Sequence, residues 1–353
     1  MLSKILFTVA SALFFPKEIF AVEWILQSQA PEKNPDYKAV VQFAEDVKKM
    51  TNSRLTIKTY SGDAKNKKAK GGGLYSAVKN NRVQMVVGWP NWWHNVNSAW
   101  NALQSGPYGH MNLDSSMMWF FVGKGTEFAN KLSEPDGILW RPAWWAGMEL
   151  GLLTKKGINS LADLKNKIVR IGPGIPNETL KKAAPGVRTN TIPSAGIGRA
   201  FASGNLHGIE WTVPSATYAM GFHEKEKGGA DHIIVPAVWQ PSVLGDFLIN
   251  KKAFESLSPD IQAILETAMK AFALTTTLSG KVQDMEALEN FQKNGVSVST
   301  WSEDDLKTWH KEANNVYDKH KRKSKEFKEI FEDKMSFKKK YQEYYKTHGS
   351  YEN

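Results

Sequence analysis

The sequence predicts an α/β protein of two similar lobes facing a shared cleft. One long helix is expected to span both lobes, with an extra helical extension at the C-terminus. Three observations carry this expectation. The chain opens strand–helix–strand, the pattern of a parallel sheet with helical crossovers. A helix–stop–strand unit near residue 80 returns near residue 200. A capped, apolar-periodic stretch of about 35 residues then appears, roughly 50 Å long at 1.5 Å per residue and longer than one lobe needs.

Residues 1–21 read as an export signal. Lys4 supplies a positive charge, Ile5 to Phe15 a short apolar run, Pro16 a break and Ala21 a small residue suited to cleavage; Ile19 is larger than a signal peptidase prefers. The run falls short of the roughly 20 apolar residues that cross a bilayer. The mature chain is expected to begin near Val22. With 0 Cys it has no thiol to carry a lipid, which favours a periplasm that retains loose proteins.

Glu23 to Gln27 reads as a strand. Asp36 to Met50 places Val40, Val41, Phe43, Ala44 and Val47 at helical spacing. Arg54 to Tyr60 alternates through Leu55, Ile57 and Thr59, as a strand does. Gly71-Gly72-Gly73 precedes a helix from Leu74 to Lys79, and Asn80-Asn81 ends it before a buried strand from Val83 to Val87. The stretch from Leu74 to Val86 lies over that from Ile197 to Ile209. Both run into tryptophan: Trp89, Trp92 and Trp93 in the first, Trp211 in the second. Ligands in α/β sheets bind beyond the carboxyl ends of strands, so these aromatics point to the cleft.

The second lobe opens near Glu149. Ser160 caps a short helix from Leu161 to Leu164, Ile168 to Ile171 is a strand, and Gly172 to Pro176 is a rigid loop leading into a helix at Asn177. Ser258 then caps the long helix, with Pro259 at its first position and Asn294-Gly295 as its stop. The tail from Ser302 is Lys/Glu-rich and helical, with an apolar stripe from Phe327 to Tyr345. The expected division is a signal over 1–21, lobe I over 22–147 with about 233–257, lobe II over 148–232 with part of 258–301, and an extension over 302–353.

Composition excludes several classes. The 353 residues suit two domains, and 41% hydrophobic with 23% charged residues is a folded globular profile. The absence of Cys removes disulfides, thiolate metal sites and Cys nucleophiles. The net charge of +10 is spread along the chain, whereas nucleic-acid binding would want a clustered basic face. No HExxH, GxxxxGK[ST] or GxSxG occurs, so no enzyme is expected. His223 and His232 read as scattered surface histidines.

What remains suits a small anion. Arg170 ends a strand just before a Gly/Pro loop and a helix N-terminus, where a guanidinium fork can take a carboxylate. Glu210-Trp211 ends the second repeat, and a Glu in an apolar strand needs a positive partner. Trp239-Gln240-Pro241 adds an aromatic and an amide at a crossover.

These segments, with Leu164 to Arg170, Gly221-Phe222-His223 and Leu248 to Lys251, resemble the DctP-like solute-binding proteins of tripartite ATP-independent periplasmic (TRAP) transporters. The Glu-Trp pair resembles the branch that binds 2-oxo acids and other small carboxylates with a metal ion. The resemblance implies the two-lobed periplasmic-binding-protein fold, and that Arg170 pairs with the ligand carboxylate. It implies that Glu210 and the Trp211 carbonyl ligate the metal. Glu149 stands where the family has a Gln, and Gln240 where it has an acid, an exchange that conserves charge. Asn91-Trp92-Trp93 stands where a Tyr-Tyr-Trp segment touches ligand. The expected ligand is a 2-oxo acid such as pyruvate, or a related 2-hydroxy or aromatic acid. The expected metal is Na+, with Ca2+ as the alternative. Expected partners are the membrane subunits of the transporter and, through the C-terminal helix, a second copy of the chain. A second reading is a secreted carbohydrate-binding or hydrolytic protein with a Trp-lined cleft, in which Glu149 and Glu210 would converge as two carboxylates.

Overall fold

A computed structural model describes residues 21–103, 109, 113–155, 157–192, 194–240 and 243–349. The signal segment up to residue 20, Pro241 and the last four residues lie outside the described residues. The strands are β1 (Val22–Ser28), β2 (Leu55–Tyr60), β3 (Met85–Gly88), β4 (Ile138–Gly147), β5 (Leu152–Thr154), β6 (Ile168–Arg170), β7 (Arg188–Asn190), β8 (Gly208–Ile209), β9 (His232–Val235), β10 (Val243–Asn250) and β11 (Ser297–Thr300).

They form two sheets. The first has the order β2-β1-β3-β10-β4 and the second β11-β9-β5-β8-β6-β7. In the first, β1 runs parallel to β2 and β3, while β10 is antiparallel to β3 and β4. The helix Pro35–Met50 makes the crossover from β1 to β2; Asn34 caps it by accepting from the Asp36 N–H, and Val40, Phe43, Ala44 and Val47 face the core. Strand β4, rich in tryptophan, was not foreseen.

The return to the first lobe comes later than the expected residue 233. Strand β9 pairs antiparallel with β5 and parallel with β11, so it belongs to the second sheet. Its Ile233 and Ile234 are buried there. Strand β10 is the segment that crosses back.

The spanning helix runs Pro259–Lys293 without interruption. Towards its middle Phe272 meets Phe43 of lobe I at 5.4 Å between ring centroids, and near its end Phe291 meets Tyr218 of lobe II at 5.2 Å. It therefore contacts both lobes.

The extension is two helices, Glu303–Lys323 and Lys325–His348, with Ser324 between them in extended geometry. The first packs on lobe II, where Trp309 meets Trp239 at 6.0 Å and Glu178 accepts from Lys319 at 2.8 Å. The second packs on lobe I. Asp333 accepts from the Trp119 indole at 2.9 Å, Tyr341 donates to Asp114 at 2.6 Å, and Phe327 and Ile330 are buried. The apolar stripe that called for a second copy is thus largely covered by the chain itself. Tyr344 and Tyr345 remain exposed.

Candidate functional site

The tryptophans divide cleanly. Ten of the 13 are buried in the cores. The other three, Trp89, Trp92 and Trp211, line a cavity between the lobes. Two of them follow the strands β3 and β8 that end the repeated units. The cavity measures about 90 Å³. Sites for drug-sized ligands occupy roughly 300–1,000 Å³, so this one suits a molecule of a few atoms and not a sugar chain.

Lobe II supplies the charge. Arg170 ends β6 and is 4% exposed. Its Nη1 donates at 2.6 Å both to the Glu210 backbone carbonyl and to Glu210 Oε2. The Gly172 N–H, from the Gly/Pro loop after β6, donates to the same oxygen at 2.9 Å. The guanidinium lies over the Trp211 ring at 4.6 Å. Arg170 Nε has no partner among the described residues. The guanidinium fork expected to face a ligand is thus half engaged by Glu210.

Glu149 sits beside this pair. Its Oε2 accepts from the Trp239 indole at 2.6 Å and its Oε1 from Gln240 Nε2 at 2.8 Å. The same amide nitrogen reaches Glu210 Oε1 at 3.4 Å, so Gln240 bridges the two carboxylates. Burial and the Glu210 charge push the Glu149 carboxyl well above its ordinary range. Burial also raises Glu210, against the pull of Arg170 and the Gly172 N–H. Burial lowers Arg170. Two carboxylates share one guanidinium, so one negative charge is left over when both acids are ionised.

That surplus defines what can bind. The oxygen donors are the two carboxylates, with the Trp211 carbonyl as the third that the resemblance implies; the Gln240 amide meets the carboxylates through its nitrogen. These hard oxygens suit Na+ or Ca2+. Among the described residues no cluster of three His, Cys, Asp or Glu side chains exists to make a closed metal site. A cation here needs further oxygens, which a bound carboxylate can supply.

Lobe I supplies neutral polar groups. Asn91 donates to the Pro173 carbonyl at 3.3 Å, bridging the lobes. Trp92 lines the cavity, whereas Trp93 is fully buried and donates to Asp246 at 2.8 Å. Gln29, just past β1, lines the cavity with both its amide atoms buried and unpartnered. Thr212 Oγ1 and Trp211 Nε1 are also unpartnered there. Sequence reading missed Gln29 and Thr212. A signal existed for Thr212, which directly follows the Glu-Trp pair.

Residues 26–324 match the family of bacterial extracellular solute-binding proteins, family 7, also called DctP. The chain belongs to this family. These are solute-binding proteins of TRAP transporters and not enzymes, so the hydrolytic reading falls away. The chain is 24% identical over 318 residues to the monocarboxylate 2-oxoacid-binding periplasmic protein of a Nostoc species, covering 90% of this chain and 84% of that one. Two solved structures are similar along nearly the whole chain. A TRAP solute-binding protein of Pseudoalteromonas atlantica, with bound sodium and pyruvate, is 26% identical with a TM-score of 0.84, covering 93% of this chain and 97% of that one. Another from Colwellia psychrerythraea, with bound calcium and pyruvate, is 27% identical with the same TM-score of 0.84 and the same coverage of 93% and 97%.

Proposed function

We propose that this solute-binding protein captures a small monocarboxylate in the periplasm, a 2-oxo acid such as pyruvate, together with a cation, and delivers it to the membrane subunits of a TRAP transporter. The observation that carries this reading is the buried charge set: one guanidinium with a free Nε edge, two buried carboxylates and a cavity of about 90 Å³. The pyruvate held by the Pseudoalteromonas and Colwellia proteins supports the choice of ligand.

Arg170 offers its charge to the ligand carboxylate, and charge-assisted hydrogen bonds of this kind are worth about 1.5–3 kcal/mol each. Glu149, Glu210, Gln240 and the Trp211 carbonyl would hold the cation. A bound cation neutralises the surplus carboxylate charge and presents open positions to ligand oxygens. Gln29, Asn91 and Trp92 approach from lobe I, so lobe closure shields the ligand from water. The signal segment is proposed to be removed near Ala21.

Mass spectrometry of small molecules released from the purified protein tests the reading, followed by calorimetry with pyruvate. Micromolar or tighter binding of a 2-oxo acid that depends on cation supports it. Release of a sugar or an amine, with no heat from any carboxylate, overturns it.

A further inference from the structure

A second and larger cavity shares no lining residue with the cleft. It measures about 600 Å³ and runs between the helix Pro35–Met50 and the spanning helix. Carbon dominates its floor: Phe43, Trp144, Ala146, Val213, Ala268 and Phe272. Val213 and Ser215, from the segment that follows β8, also line it, and Val213 packs in the same cluster as Phe43, Trp144 and Phe272.

One buried carboxylate faces this space. Asp36 lines the cavity, is 8% exposed, and its Oδ2 has no partner among the described residues. The Trp144 indole N–H leans toward Asp36 without closing a hydrogen bond. Behind Ser215 sits a second buried acid, Asp284. Its Oδ1 accepts from the Ser215 N–H at 2.9 Å and hydroxyl at 2.7 Å, while its Oδ2 is unpartnered. Among the described residues neither acid has an ammonium or guanidinium within ion-pair distance. Lys49 stands exposed at the rim and Lys281 acts on Asp284 only from further off. Asp46 adds another acid at the mouth.

We propose that this second cavity is a binding site for a small organic cation, an aliphatic ammonium ion whose charge meets Asp36 and whose carbon chain lies on the Phe43–Trp144–Phe272 floor. The chemistry excludes the alternatives. An anion would face Asp36, Asp46 and Asp284. A neutral hydrocarbon would bury Asp36 without a partner, which is costly. A bare Na+ or Ca2+ would give up its water for carbon walls and one carboxylate, where such ions take six or more oxygens. An alkylammonium fits both halves, and the Trp144 ring adds a favourable face for a cation. Burial, then the Asp284 charge, raise the Asp36 carboxyl to about 7.

The test titrates n-hexylammonium chloride into the full chain by ligand-observed saturation-transfer NMR, with hexan-1-ol and hexanoate as controls. Binding of the ammonium at least tenfold tighter than either control is expected. Asp36→Asn should weaken it at least tenfold, and Ala271→Trp, which fills the cavity from an exposed helix position, should abolish it. Glu149→Gln should leave it unchanged. Equal binding to the wild type, Asp36→Asn and Ala271→Trp overturns the proposal. So does hexan-1-ol binding as tightly as the ammonium, or loss of binding in Glu149→Gln, which would place the cation in the cleft.

Discussion

Arg170 and Glu210 are bound to each other through a single guanidinium nitrogen, which reaches both the carboxylate and the backbone carbonyl of Glu210 at 2.6 Å. The pair is almost fully buried. Its geometry leaves the Nε edge of Arg170 unpartnered while Glu149 crowds the acid side. Under the proposed function Arg170 has two roles, holding Glu210 and receiving the ligand.

Those roles separate by mutation. Arg170→Ala leaves Glu210 buried without its partner, and breaking a buried pair this way costs about 3–5 kcal/mol of stability. Arg170→Met with Glu210→Gln removes both charges, so its melting temperature should return toward wild type. Carboxylate binding should stay lost in both variants. Calorimetry showing wild-type affinity in the double variant would remove Arg170 from the ligand site.

Cation dependence should follow the same charge count. When both are ionised, Glu149 and Glu210 carry one more negative charge than Arg170 neutralises, so an anion entering the cavity meets repulsion unless a cation or a proton offsets it. Chelation, or replacement of sodium by choline, should lower pyruvate affinity by at least tenfold. Glu210→Gln should weaken the response to added cation. Comparing sodium and calcium titrations in one calorimetric series identifies the ion. Undiminished affinity in chelated, sodium-free buffer would show that the ligand needs no cation.

Much of this site was legible because each part sits where the local sequence marks an element end. Arg170 precedes Gly172-Pro173-Gly174, and Glu210-Trp211 closes a helix–stop–strand repeat. The aromatic segment was harder. Trp92 and Trp93 are neighbours in a short 3-10 turn, Pro90–Trp93. Successive residues of such a turn point about 120° apart, since it has three residues per turn. Trp92 therefore faces the cleft and Trp93 the core, and spacing alone could not say which. Gln29 belongs to no motif; only the fold brings the end of β1 to the cavity. The docking of the C-terminal helix rests on contacts such as Trp119 with Asp333, separated by 214 positions. An apolar stripe says that a helix is covered and not by what.

That docking gives a stability prediction. Phe327 and Ile330 are fully or nearly fully buried against lobe I. Burying a side chain of that size contributes about 1.5–3 kcal/mol. Ending the chain after Ser324 should therefore lower the melting temperature by several degrees and raise binding of a hydrophobic dye near Trp119 and Phe120. The cleft is formed without this helix, so ligand affinity at low temperature should persist. A truncated chain that melts like the full one would show that the helix adds nothing to lobe I.

The last prediction concerns pH and lies away from the cleft. Asp246 on β10 is fully buried and accepts from the indoles of Trp93 at 2.8 Å and Trp140 at 2.9 Å. Burial raises its carboxyl from 3.8 to about 7, although both indoles pull it down. The folded state therefore keeps a proton that the unfolded state releases near pH 4. The sign follows: Asp246 costs nothing below pH 4, erodes stability as pH rises from 4 to 7, and adds no further loss above that. At 1.36 kcal/mol per unit the whole effect is at most about 4 kcal/mol. Asp36, raised to about 7 as well, contributes with the same sign, so the measurement must be a difference. Asp246→Asn keeps an acceptor for both indoles and has no proton to lose. Denaturant unfolding at pH 5 and pH 8 should show the variant gaining on the wild type by up to a few kcal/mol at the higher pH. Parallel curves for the two proteins across that window would mean that Asp246 is ionised in the folded state at both ends, with the two indole donors sufficient to hold its charge.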